Sequence, residues 1–215
     1  MEDKKILIAV PCMDMVSARF AQSLATLKKV GKCTVSFLMG SLIYDSRNRL
    51  ASMAVQMEAD YILWLDSDMT FVPDTLERMM KVLDENPEVD ILSGLYFRRA
   101  HPFTPVLFSK LEVDENGNLE FADYNDLPDG LFEIAGCGFG CVLMRTECLL
   151  DIAAKEHGGI WFSPIANAGE DCAFCIRARR EGYKIYCDPS IELGHMGYAP
   201  ITRAFYEATK DGEAK

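Results

Sequence analysis

The sequence predicts an α/β fold in which a mixed, mainly parallel sheet is flanked by helices. Strand-like and helix-like segments alternate through the first half as β-α-β-α-β-α-β, which is typical of a parallel sheet covered by helices on both faces. Residues 61–65 are all large and apolar, as expected for a central strand buried on both faces. In the second half, residues 114–117 contain an Asn-Gly pair, which predicts a β-hairpin.

The elements of the first half are bounded by residues that end regular structure. Predicted strands span residues 5–10, 34–39, 61–65 and 89–95, and predicted helices span residues 17–30, 45–57 and 73–83. Pro11 stops the first strand, and Gly31 closes the first helix. Asp45 or Ser46 suits the N-cap of the second helix, and Pro73 suits the first position of the third.

The second half alternates less regularly. Predicted strands span residues 106–112 and 119–121 around the hairpin turn, the end of the segment 136–145, and residues 183–186 and 191–193. We expect Thr146 to cap a helix that ends at residues 158–159. A further helix over residues 170–181 is closed by Gly182. The residues after Tyr198 form a polar tail.

The composition is that of one well-packed domain, since 49% of the 215 residues are hydrophobic and 26% are charged. The formal net charge of −11 argues against a broad nucleic-acid or anionic-membrane surface, because either needs clustered Lys and Arg. No apolar run approaches the length of a transmembrane span, and the first residues lead into a strand without the apolar core of a secretory signal. We therefore expect a cytoplasmic protein without a transmembrane segment.

The eight cysteines allow two interpretations. Cys137, Cys141, Cys172 and Cys175 are the four thiols that a tetrahedral zinc site would use. Alternatively, the cysteines are buried structural residues, because free cysteine behaves as a small hydrophobe. We favour the second interpretation, since Cys172 and Cys175 fall on a predicted helix and the others stand among apolar residues. Disulfides are not expected in a cytosolic chain.

Paired carboxylates follow the central strand directly. Asp66 and Asp68 stand at the carboxyl end of that strand, where open α/β sheets place their ligands, and two carboxylates there can share a divalent cation. The alternative is an ordinary Asx turn.

Three further features accompany the pair: Arg47-Asn48 at a helix start, Glu170-Asp171 at another, and His195 between glycines. Each alone has a simpler explanation, since acidic residues favour any helix N-terminus and arginine is usually a solvated surface residue. Together, on this alternation, they predict one shared pocket.

These clusters, in this order, resemble the glycosyltransferases of the GT-A fold, most closely those of family 2. The resemblance extends over residues 6–198. The Asp-x-Asp motif of the family matches Asp66 and Asp68, and its Arg-Asn pair matches Arg47 and Asn48. The positions that match its later motifs are Glu170, Asp171, Phe174, Arg177, Gly182, Pro189, His195 and Gly197.

The resemblance implies a GT-A fold, a Rossmann-like nucleotide-diphospho-sugar transferase domain with a β-hairpin insertion. It implies one domain over residues 1–215, with a nucleotide-binding half at 1–98, an acceptor and catalytic half at 99–200, and a tail at 201–215. The implied activity is hexosyl transfer from a nucleoside-diphosphate sugar, with a UDP-sugar favoured. The implied acceptor is a hydroxyl on a glycan, a lipid-linked sugar or a protein, or a nucleic-acid base.

The resemblance also implies residue roles. Mn²⁺ or Mg²⁺ is the implied cofactor, held by Asp66, Asp68 and His195, where it neutralises charge on the departing diphosphate. The other implied nucleotide-binding residues are Pro11, Asp14, Arg47, Asn48, Ser67 and Gly138. Asp171 is the implied general base that takes the acceptor proton, beside Glu170, with inversion at the anomeric carbon.

Two other functions fit part of the pattern. Residues 66–70 also match the nucleophile motif of haloacid-dehalogenase-like phosphatases, in which Asp66 attacks phosphate and Asp68 acts as acid and base. That family places the motif on its first strand, whereas two β-α units precede it here. A non-catalytic nucleotide-sugar binder on the same fold is the second alternative, and the presence of both Asp68 and Asp171 disfavours it.

Overall fold

The computed structural model describes residues 3–124, 126–155, 160–198 and 203. Its strands are β1 (Lys5–Cys12), β2 (Lys32–Met39), β3 (Tyr61–Leu65), β4 (Met69–Thr70), β5 (Ile91–Leu95), β6 (Leu107–Val113), β7 (Leu119–Asp123), β8 (Phe132–Ile134), β9 (Gly136–Cys137), β10 (Cys141–Arg145), β11 (Ile185–Glu192) and β12 (Gly194–His195). Its helices are α1 (Ala18–Thr26), α2 (Ile43–Gln56), α3 (Thr75–Glu85), α4 (Glu147–Lys155) and α5 (Glu170–Arg180).

The central sheet has seven strands in the order β2-β1-β3-β10-β5-β11-β8. The pairs β1/β2, β1/β3 and β5/β11 are parallel, whereas β10 runs antiparallel to both β3 and β5, and β8 runs antiparallel to β11. The prediction of a mixed, mainly parallel sheet flanked by helices is therefore confirmed. Strand β10, from the second half, separates two strands of the first half, so the sheet is shared by both halves.

Side chains alternate between two cores, one on each face of the sheet. Ile62 and Trp64 of β3 belong to one core, and Leu63 and Leu65 belong to the other. All five residues of β3 are buried, which confirms the predicted central strand. Burial on both faces explains why the run carries no charged residue.

Several predicted boundaries of the first half differ from the observed ones, and β1 continues through Pro11 to Cys12. Helix α1 ends at Thr26, because the backbone turns away at Leu27 and the amide of Lys28 donates to the carbonyl of Pro73 over 2.7 Å. Helix α2 begins before its predicted caps, with Leu42 as the N-cap residue and no side-chain cap. Helix α3 begins at Thr75 instead of Pro73.

The hairpin prediction is confirmed by strands β6 and β7, which pair antiparallel on either side of the Asn-Gly turn. Asp114 Oδ1 accepts hydrogen bonds from the amides of Asn116 and Asn118, over 2.9 and 2.7 Å. Gly117 has φ of +83°, a left-handed conformation that glycine adopts at low cost. Strand β6 also pairs with β9, giving a three-stranded sheet that carries the insertion.

Two further predictions in the second half need correction. Thr146 precedes α4, but its buried hydroxyl has no hydrogen-bond partner among the described residues and therefore does not cap the helix. The two short strands predicted at the end of the domain are one strand, β11, whose register shifts between Asp188 and Glu192. The predicted helix end at residues 158–159 and the tail at 201–215, apart from residue 203, lie outside the described residues.

The cysteines are free thiols, and those of the hypothetical zinc site lie on both faces of the sheet. Cys137 and Cys175 pack in one core, while Cys141 packs in the other core, across the sheet, with Sγ 3.7 Å from Met79 Sδ. The four thiols of the alternative zinc site therefore cannot bind one ion together. Within residues 3–124, 126–155 and 160–198, no cluster of three or more His, Cys, Asp or Glu has the spacing of a preformed metal site.

None of the helices that the structure describes is both long enough and apolar enough to cross a membrane.

Candidate active site

The carboxyl end of β3 opens into a cavity of about 640 Å³. Asp66 begins a tight turn, in which its amide donates to the carbonyl of Gly140 over 3.0 Å and its carbonyl accepts from the amide of Met69 over 3.1 Å. The turn places Asp66, Ser67 and Asp68 together on the cavity wall. The other lining residues are Pro11, Cys12, Met13, Ser41, Ile43, Ser46, Arg47, Tyr96, Arg98, Arg99, Ala100, Val106, Phe139, Glu170, Asp171 and His195.

Arg47 connects the two acidic pairs beneath this cavity. Its side chain is only 2% exposed, and its Nη2 donates to Asp66 Oδ1 over 2.9 Å while its Nε donates to Glu170 Oε1 over 3.3 Å. The guanidinium carbon lies 5.7 Å from the ring centre of Trp64 and 5.4 Å from that of Phe139. Its Nη1 is buried without a hydrogen-bond partner among the described residues. Arg47 thus fixes the positions of two carboxylates from opposite halves of the chain.

His195 is placed by a two-stranded sheet. Strand β12 pairs antiparallel with β4, which sets His195 opposite Met69, and the amide of Met196 donates to the carbonyl of Asp68 over 2.8 Å. Nδ1 of His195 lies 2.8 Å from the carbonyl oxygen of Phe97, which can only accept, so Nδ1 carries a proton. Nε2 then faces Asp68 Oδ2 at 3.6 Å.

The electrostatics of Asp68 and His195 agree with this geometry. The nearby carboxylate of Asp68 raises the pKa of His195, and partial burial opposes that rise. Burial alone would raise the pKa of Asp68, but the nearby imidazole of His195 and the charge of Arg99 hold it below the usual value. The pair therefore favours a carboxylate with a cationic or metal-coordinating partner.

Glu170 and Asp171 form the first turn of α5, with Gly169 as the N-cap residue. Asp171 Oδ1 accepts from the amide of Cys172 over 2.7 Å. Burial, and next the charge of Glu170, raise the pKa of Asp171 above its usual value. A carboxylate with a raised pKa is a stronger base than an exposed aspartate, which suits proton abstraction.

The family model of Glycosyl transferase family 2 matches residues 44–151, which is half of the chain and includes Arg47 and the Asp-x-Asp pair. The chain belongs to glycosyl transferase family 2. No curated protein sequence matches it.

Solved structures share the GT-A fold with this glycosyltransferase. The crystal structure of A197 from STIV is 17% identical, with a TM-score of 0.59, and the alignment covers 93% of this chain and 97% of that one. The crystal structure of GalNAc-T7 with UDP, GalNAc and Mn²⁺ is 7% identical, with a TM-score of 0.59. That alignment covers 92% of this chain and 43% of GalNAc-T7, so the chain spans less than half of that protein.

Membership of the family removes the two alternatives that the sequence left open. The enzyme is a glycosyltransferase and neither a phosphatase nor a non-catalytic binder. The structure agrees, because the carboxylate of Asp66, which a phosphatase would use as a nucleophile, accepts a hydrogen bond from the buried Arg47.

The structure brings most of the predicted site residues of the transferase to one cavity, but three lie outside its lining. Asp14 is exposed. Asn48 uses its amide oxygen to accept from the amide of Phe162 over 2.9 Å, which is a structural contact between α2 and a loop. Gly138 lies below the lining, where a Cβ would collide with the hydroxyl of Tyr96. The space that Gly138 leaves is therefore used by a side chain of the enzyme.

Among the cavity residues that sequence analysis missed are Tyr96, Arg98 and Arg99. The hydroxyl of buried Tyr96 accepts from the amide of Gly140 over 3.0 Å, and its ring meets that of His195 edge-on at 5.4 Å. Arg99 Nη1 donates to Asp68 Oδ2 over 2.8 Å. A signal was present, because an aromatic residue and two arginines directly follow a buried strand at the same edge of the sheet.

Proposed function

We propose that the chain is a metal-dependent glycosyltransferase that moves a sugar from a nucleoside-diphosphate sugar to an acceptor hydroxyl, with Asp171 as the general base. The observation that carries the proposal is the shared cavity, which has the Asp66/Asp68 pair on one wall and the Glu170/Asp171 pair on another. Arg47 bonds to one member of each pair, so their spacing is fixed by the fold. The cavity volume, about 640 Å³, lies within the usual range for small-molecule sites.

The donor atoms fit a divalent cation. A neutral His195 with its proton on Nδ1 presents the lone pair of Nε2 to a carboxylate oxygen of Asp68, and two such acceptors favour a cation between them. Carboxylate oxygens with one imidazole suit Mn²⁺ or Mg²⁺. We assign Asp68 and His195 as the ligands, with Asp66 beside them. The cation supplies Lewis-acid neutralisation of the leaving diphosphate. The Mn²⁺ and UDP bound to GalNAc-T7, which shares the fold, support the choice of a UDP-sugar as the first donor to test.

Part of the cavity wall is formed by Pro11, Ser67 and Arg47, together with the first turn of α2. We propose that this side holds the nucleotide. Asn48 and Asp14 are not part of the proposal, since the described geometry gives them other environments.

Asp171 is suited to act on the acceptor. The acceptor oxygen attacks the anomeric carbon, its proton passes to a carboxylate oxygen of Asp171, and the bond from the anomeric carbon to the diphosphate oxygen breaks. The nucleoside diphosphate leaves with the electron pair of that bond. Attack opposite the leaving group inverts the anomeric centre. Glu170 keeps Arg47 in place and adds negative charge that favours proton uptake by Asp171.

The direct test is a thermal-shift measurement with UDP or GDP, each with and without Mn²⁺ or Mg²⁺. We expect UDP or GDP to raise the melting temperature only when Mn²⁺ or Mg²⁺ is also present, because the cation would link the diphosphate to the protein. The matched control is Asp68→Asn, which keeps the size of the side chain and removes a ligand charge. No rise with any combination in the wild type would refute metal-dependent donor binding.

The role of Asp171 is tested separately from binding. The variant Asp171→Asn should retain the nucleotide-dependent thermal shift and lose sugar transfer, or hydrolysis of the donor when water is the acceptor, by roughly two to four orders of magnitude. Transfer at the rate of the wild type would show that Asp171 is not the base.

A further inference from the structure

Arg99 extends from the loop after β5 into the site, and contacts hold both its aliphatic stem and its guanidinium. Its aliphatic stem lies over Gly197, where a Cβ would stand 3.4 Å from Arg99 Cβ. Its guanidinium reaches Asp68 Oδ2 over 2.8 Å, yet the side chain is 51% exposed. A fixed stem and an exposed head leave the guanidinium free to exchange partners inside the cavity that it lines.

The partner of Arg99 is also the atom that the proposed cation needs. Asp68 Oδ2 takes the hydrogen bond of Arg99 and faces His195 Nε2 at 3.6 Å. A cation coordinated by this oxygen and Arg99 bonded to it would place two positive centres against one carboxylate, where they repel each other. The ion pair and metal coordination therefore compete for Asp68.

We propose that Arg99 is a binding residue for the donor diphosphate and that it rests on Asp68 until the divalent cation takes this carboxylate. The inference rests on the proposed metal-dependent function. The nucleotide brings phosphate oxygens into the cavity together with the cation, and a guanidinium matches phosphate with two parallel hydrogen bonds. Arg99 thus exchanges one anionic partner for another and keeps its charge paired throughout.

The neighbouring arginine has a different task. Arg98 Nη2 donates to Asp123 Oδ1 over 2.8 Å, and its guanidinium carbon lies 6.0 Å from the ring centre of Phe108. Both contacts join Arg98 to the hairpin insertion formed by β6 and β7. The two adjacent arginines therefore point to different partners, and Arg99 is the one at the metal pair.

The test compares two affinities in the full chain, measured by calorimetry. The variant Arg99→Gln should bind Mn²⁺ alone roughly two- to fivefold more tightly than the wild type, because a competing exposed ion pair is removed. With Mn²⁺ saturating, the same variant should bind UDP, or GDP if the wild type prefers it, roughly tenfold more weakly, because a charge-assisted phosphate contact is lost. Both affinities of the variant Arg99→Lys should lie between those of the wild type and those of Arg99→Gln.

Arg49→Gln is the matched control, since it removes the same charge from an exposed position on α2. It should leave both affinities unchanged, which separates a local contact from the loss of net positive charge. Unchanged or weaker binding of Mn²⁺ by Arg99→Gln would overturn the competition for Asp68. Unchanged nucleotide binding would overturn the contact with the diphosphate.

Failure of the wild type to bind either nucleotide with Mn²⁺ would instead refute the proposed function. The measurement with Mn²⁺ alone needs no nucleotide, so it still decides whether Arg99 and the cation compete. The proposed function and the proposed role of Arg99 are therefore refuted by different measurements.

Discussion

Arg47 and Glu170 stand 123 residues apart in the sequence, yet Nε of the first lies 3.3 Å from Oε1 of the second. The same guanidinium donates to Asp66 at the end of β3. A buried arginine between two carboxylates is costly to desolvate, and the cost is offset only while both partners remain. The contact therefore joins the segment matched by the family model to the helix that carries Asp171, which lies beyond that segment.

Replacing Arg47 should destabilise the fold. We expect Arg47→Met to lower the free energy of unfolding by about 3 kcal/mol, because it leaves the carboxylates of Asp66 and Glu170 without their common partner. Urea denaturation followed by circular dichroism measures the change. Arg49→Met, at an exposed site on the same helix, should cost less than about 0.5 kcal/mol. Equal effects of the two substitutions would contradict the structural role of Arg47.

The side chain of Tyr96 fills the space beside Gly138. A Cβ on Gly138 would collide with the Tyr96 hydroxyl and stand 2.8 Å from Val106 Cγ1, so Gly138→Ala should cost about 1–3 kcal/mol of stability. Tyr96→Phe removes the atom that is struck first. The double variant should therefore be less destabilised than the sum of the single variants, as measured in a double-mutant cycle. Strict additivity would show that Gly138 serves something other than the packing of Tyr96.

Asn48 should affect stability and leave nucleotide binding unchanged. Asn48→Ala removes the acceptor for the amide of Phe162 and should cost about 1–2 kcal/mol. Asn48→Asp keeps an acceptor oxygen and should cost less. Nucleotide affinity with Mn²⁺, determined below the unfolding transition, should match that of the wild type in both variants. A loss of affinity in Asn48→Asp would restore the prediction made from the sequence, that Asn48 binds the nucleotide.

The cysteines should behave as structural thiols and not as zinc ligands. Burial raises the pKa of Cys141 to about 12, so this thiol stays protonated and unreactive near neutral pH. Cys12 and Cys33, which are partly exposed, should react with a thiol reagent before the buried cysteines do. Peptide mapping after brief labelling checks the order. The melting temperature should also be unchanged by EDTA in the absence of nucleotide. A fall with EDTA would indicate a structural metal.

The local sequence pattern was sufficient to predict most helices and strands, but not to predict where some of them end. The apolar run 61–65 and the Asn-Gly turn each fixed an element, because burial on two faces and a left-handed glycine place strong local demands on residue type. The end of α1 depends instead on a carbonyl at Pro73, which is far along the chain and invisible to a local pattern. Thr146 likewise has a capping residue type without the capping hydrogen bond.

By itself, the sequence determined the α/β class and the residue types of the site. The strand before Asp66-Ser67-Asp68 and the acidic start of α5 can both be recognised from consecutive residues. Only the tertiary structure decided which of these residues meet. Strand β10 inserts between β3 and β5, β12 pairs with β4, and Arg47 turns inward to bond Asp66 and Glu170. The same folding withdraws Asn48 and brings in Arg99. The physical reason is that a contact between distant segments depends on strand order and on the burial of charge, and neither is encoded in the spacing of a short motif.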